Sequence, residues 1–134
     1  MKKNTKGFTL IELLAVIVIL AIIALIATPI VLNLIEKARK GAAQDSAYGV
    51  RKTAQLYYQT QMIDNINGFD EAIEIDFATA STIPTGFELD GTAPSKGTLT
   101  IDVDGKVNGT VVINGYGCAI VDSGAITCDK AWNS

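Results

Sequence analysis

The sequence predicts an α+β fold: one long N-terminal α-helix packed on a small antiparallel β-meander of about four strands. Three observations predict it. Between Leu13 and Leu32 only Thr28 and Pro29 fall outside the apolar set. Beyond Pro29, apolar residues recur at mostly three- or four-residue spacing, the period of a helix with one buried face. From Thr98 the period drops to two, and Asp104-Gly105 and Asn114-Gly115 supply hairpin-forming pairs.

The helix is expected from about Phe8 to about Met62, interrupted or bent near Pro29, whose ring removes a backbone donor. Its apolar run of about 20 residues, at 1.5 Å per residue, matches a hydrocarbon core of roughly 30 Å. That first half is apolar all round and needs lipid or other chains to cover it. In the second half Ile30, Leu34, Ala38, Ala42, Val50, Ala54 and Tyr57 read as the buried stripe. Gly41 and Gly49 weaken the helix locally but permit close packing, and Tyr57-Tyr58 puts one ring in the core and one hydroxyl outside.

Asp64–Gly68 ends the helix with turn chemistry. Residues 63–97 then read as an irregular connector, within which Phe69–Ile75 suits either a short helix or a strand. The meander occupies residues 98–134, with Asp104-Gly105 as a two-residue hairpin and Asp122-Ser123-Gly124 as a three-residue loop. If Val121 and Ala125 close that loop, Cys118 and Cys128 face each other three steps out, at a non-hydrogen-bonded site where Cα atoms approach about 4.5 Å. Such a pair can form a disulfide outside the cell. Two reduced thiols packing as small apolar residues is the other reading.

The 134 residues carry a net charge of −3, unevenly placed. Residues 1–52 hold eight basic and three acidic side chains, whereas residues 53–134 hold three basic and eleven acidic ones. So acidic a second part is a poor partner for nucleic-acid phosphates. The chain has no histidine, which removes Ser/His/Asp and Cys/His catalysis, and two cysteines alone are too few for structural zinc. No catalytic residue and no cofactor is expected. Asp102–Gly105 starts like a calcium loop, but Lys106 stands at the third acidic position, so a hairpin turn explains the stretch, with a weak calcium site near Asp102 and Asp104 left open. Asn108-Gly109-Thr110 matches a glycosylation sequon, and a turn explains it equally well.

One acid, Glu12, stands at the front of the apolar run, and a carboxylate inside lipid costs a few kcal/mol or more without a partner. The stretch Lys6–Leu14, KGFTLIELL, resembles the cleavage motif of type IV pilins and pseudopilins. The resemblance covers about the first third of the chain and implies a leader, residues 1–7, cut by a prepilin peptidase between Gly7 and Phe8. It implies N-methylation of Phe8, an assembly role for Phe8 and Glu12, and a helix-kinking role for Pro29. It further implies a hydrophobic transmembrane and filament-core helix over residues 8–35 and a globular domain over residues 36–134. Pilins of several bacterial groups likewise close a C-terminal loop with a disulfide.

The implied partners are like subunits in a homopolymer, the prepilin peptidase and methylase, the pilus assembly machinery, and the membrane before assembly. Lys2, Lys3 and Lys6 favour a cytoplasmic N-terminus, Lys37, Arg39 and Lys40 nearly balance them, and the resemblance breaks the tie. The implied location is the cytoplasmic membrane as a single-pass protein, then a surface filament. A pseudopilin of a type II secretion or competence DNA-uptake system is the neighbouring alternative. A membrane-anchored surface binding module is the alternative from another class. A cleaved secretory signal ending at Ala27 fits less well, because Leu25 occupies a position that prefers a small residue.

Overall fold

The computed structural model describes residues 9–130. The chain divides into two compact units, Met1–Lys37 and Ala38–Ser134. Helix α1 runs from Leu10 to Asp64, with Pro29 inside it. In the first unit no described residue is buried, and side chains such as Leu10, Leu25 and Ile26 are more than half exposed.

In the second unit five strands follow the helix: β1 (Ile73–Asp76), β2 (Lys96–Ile101), β3 (Val107–Ile113), β4 (Tyr116–Ile120) and β5 (Thr127–Asp129), with a short 3-10 helix at Ala80–Thr82. They form one sheet in the order β1-β2-β3-β4-β5, every pair antiparallel. The fold is therefore α+β as expected, and the connector contributes a fifth strand. In β1, Ile75 opposite Leu99 reaches the core, while Glu74 opposite Thr100 faces solvent.

The helix buries Ala43, Ala47, Val50 and Ala54 against Ile75, Leu99, Ile101, Val111, Ile113 and the sheet's other inward side chains. The spacing is helical, but the stripe differs from the expected one: Ala38 and Ala42 are exposed. Three alanines in that stripe keep the helix surface low, so the β-branched side chains of the sheet supply the bulk. The core is wholly apolar: among the described residues no polar or charged side chain is buried.

Turn chemistry fixes the registers. Asn114 (φ 54°) and Gly115 (φ 82°) make a two-residue hairpin closed by Ile113 opposite Tyr116, as a type I′ turn requires. Around Asp104-Gly105 the structure differs from the expected two-residue loop. The turn begins at Asp102, whose carbonyl accepts from Gly105 N–H at 2.8 Å, and Ile101 pairs with Val107. Asp102 Oδ1 also accepts from Val103 N–H, so the aspartate favours the earlier start. The sequon Asn108-Gly109-Thr110 lies within β3 and not in a turn.

Candidate functional site

At its N-terminus α1 carries a reciprocal cap. Glu12 N–H donates to Thr9 Oγ1 at 3.2 Å, and Thr9 N–H donates to Glu12 Oε2 at 3.3 Å. This is the capping box, in which two helix-end donors that lack intrahelical partners are satisfied at once. A carboxylate in the first turn also complements the positive end of the helix dipole. The reading of Glu12 as an assembly residue overlooked this cap, although Thr-x-x-Glu ahead of an apolar run is a legible capping signal. Gly7 and Phe8, the expected cleavage and methylation positions, lie outside the described residues.

Behind the cap the helix is apolar on every side and is long and apolar enough to cross a membrane. Pro29 lies within it and cannot donate to the Leu25 carbonyl one turn back. One residue earlier, the Thr28 hydroxyl donates to the Ala24 carbonyl at 2.6 Å, which satisfies a polar side chain inside an apolar stretch.

In the second unit Cys118 and Cys128 face each other across β4 and β5, with Cα atoms 4.1 Å apart, and are disulfide-bonded. The loop beyond them is held by a file of polar side chains on α1. Gln44 Nε2 donates to the Ile126 carbonyl, and Ile126 N–H donates to the Tyr48 hydroxyl. Arg51 donates to the carbonyls of Val121 and Gly124 at 3.0 and 2.8 Å, and Gln55 Nε2 donates to that of Asp122. The Arg51 guanidinium also sits 4.9 Å from the Tyr48 ring centre. These residues recur at helical spacing beside the alanine stripe, a pattern the apolar periodicity does not reveal because three of the four are polar.

Asp102 serves its own turn, and among the described residues no group of three metal-ligating side chains forms. A hollow of about 400 Å³ between α1 and the connector is lined by Lys52, Thr53, Leu56, Tyr57, Glu88 and Asp90 among others. It holds no nucleophile paired with a base.

Glu12 thus stands at the head of an exposed apolar helix. Residues 2–28 match the model of the prokaryotic N-terminal methylation motif. The chain carries that motif. It is the signature of type IV pilins and pseudopilins, and it supports a pilin- or pseudopilin-like precursor. The methylation motif implies processing by a prepilin peptidase and assembly into pilus-like filaments, and the apolar helix fits membrane anchoring beforehand. Proteins with this motif are typically structural, non-enzymatic subunits. The match covers about a fifth of the 134 residues. No curated protein and no solved structure matches the chain.

Proposed function

We propose that this chain is a type IV pilin-like structural subunit. It is made as a precursor, cut after Gly7, N-methylated at Phe8 and assembled into a surface filament. The organisation is a leader over residues 1–7, a membrane and filament-core helix over residues 8–35, and a globular domain over residues 36–134. The observation that carries this reading is the methylation motif standing on a helix whose apolar side chains lie exposed among the described residues.

The chemistry follows from Glu12. Cutting after Gly7 frees an α-amine on Phe8, four residues before that carboxylate in the chain. Thr9 caps Glu12 within the subunit, but a neutral cap does not neutralise its charge. In a filament core, the amine of a neighbouring subunit supplies the opposite charge, and the pair fixes the displacement between neighbours. Leaving one member of a buried pair alone costs about 3–5 kcal/mol. Insertion of the precursor needs no acid, since an apolar residue there is more lipid-soluble.

Two substitutions separate charge from capping. Glu12→Gln keeps an acceptor for Thr9 N–H, whereas Glu12→Ala removes both functions. Both variants are expected in the membrane, cut at Gly7, with filaments absent or sparse by electron microscopy. Wild-type filament yield from Glu12→Gln, as the sole copy, contradicts the charge-pair account.

A further inference from the structure

The charges at the two ends of the apolar segment repeat one another. Glu12 lies four residues past Phe8, and Lys40 lies four residues past Glu36. Phe8 to Glu36 and Glu12 to Lys40 are each 28 residues apart. Any displacement between two parallel copies that levels one pair therefore levels the other. Glu36 and Lys40 both lie on exposed positions of α1.

We propose that Glu36 of one subunit pairs with Lys40 of its neighbour, forming a second register lock at the far end of the apolar segment. The proposal rests on the reading that Glu12 meets a neighbour's Phe8 amine. That contact shifts two parallel copies by four residues of the chain, and four residues along α1 rise roughly 6 Å. Position 36 of one copy then lies level with position 40 of the other, with opposite charges. Every other charge on α1 lies level with an uncharged residue: Lys37 with Gly41, Asp45 with Gly49, Lys52 with Leu56.

Nearby displacements fail this test. With none, Glu12 meets Glu12 and Lys40 meets Lys40. With three residues, Glu36 meets Arg39, but Lys37 meets Lys40 and position 8 lies level with Ile11, so Glu12 gains no partner. Any bend at Pro29 leaves the argument intact, because both copies carry the same bend. Four heptads also keep both pairs on one face where copies wind around each other, a straight helix drifting by roughly 20° per heptad. Lysine's long stem reaches across the remaining offset while its ammonium stays hydrated until the contact forms.

Glu36 and Lys40 are also an i,i+4 pair within one helix, so the experiment must separate the two contacts. Glu36→Lys and Lys40→Glu each place like charges both within a chain and between neighbours. Mixed in one filament, alternating copies pair position 36 of each with position 40 of the other, while the clash inside each chain persists. Each variant expressed alone is expected to lower filament yield by about tenfold, equivalent to roughly 1.4 kcal/mol. Their co-expression restores yield, with both chains in the same filaments. Wild-type yield from either variant alone overturns the pairing, as does failure of the mixture to recover. A wild-type chain that is cut but never polymerises overturns the assembly reading, and the pairing with it. Loss of filaments in Glu12→Gln together with normal filaments in both charge variants leaves that reading standing and sinks only the second lock.

Discussion

Two glycines set how closely β2 and β3 approach. Gly97 stands opposite Val111, and Gly109 stands opposite Leu99. A Cβ on Gly109 would press on the Thr98 carbonyl and lie 2.8 Å from Leu99 Cα, both backbone atoms that cannot swing aside. Gly97 adds a φ of +112°, a conformation open chiefly to glycine. Gly109→Ala should therefore cost about 3 kcal/mol or more in a soluble fragment beginning at Ala38, read by urea denaturation; a loss under about 1 kcal/mol contradicts the close approach. Neither glycine announced itself, because a glycine in an alternating run has the same local pattern whether or not a neighbouring strand crowds it. Asn114-Gly115 was legible because the turn's need for two positive φ values is local. Asp104-Gly105 misled by one position, since Asp102 offered a competing start. Thr9 and Glu12 were legible as a cap and as part of a processing motif, and the second reading obscured the first.

The β4–β5 loop is held in two independent ways. The disulfide closes the hairpin covalently across a separation of ten residues. The file of Gln44, Tyr48, Arg51 and Gln55 binds the loop to the helix. Replacing both Cys118 and Cys128 with serine should lower stability by roughly 2–3 kcal/mol through loop entropy. The loop's hydrogen bonds to the helix should survive, so amide exchange at Ile126 should speed up no more than global unfolding requires. Exchange at Ile126 far faster than that would show that the disulfide alone holds the loop. The cysteine pairing was legible from loop parity, since facing positions in an antiparallel pair sum to a constant. Strand β1 was legible only as one of two readings of Phe69–Ile75, because only Ile73 and Ile75 mark it and its pairing with β2 depends on residues more than twenty positions away. The alanine stripe was misplaced for a similar reason: Ala38, Ala42, Ala43 and Ala47 are equally apolar, and only the sheet decides which of them face it.

The chain joins two units with opposite requirements. The second unit encloses its own apolar core and carries most of the acids; the first exposes a run of large aliphatic side chains that water would not tolerate. On the proposed reading, a membrane covers that run before assembly and neighbouring copies cover it afterwards, with the charges at its ends making the exchange depend on register. All of this requires that the leader be removed, because an amide at Phe8 has no positive charge to offer Glu12. The direct check is mass spectrometry of the N-terminal peptide of the chain, recovered from membranes of cells that contain a prepilin peptidase. The peptide is expected to begin at Phe8 and to carry one added methyl group on its amine. A peptide that begins at Met1, or at Thr28 as a secretory signal would leave it, contradicts the account.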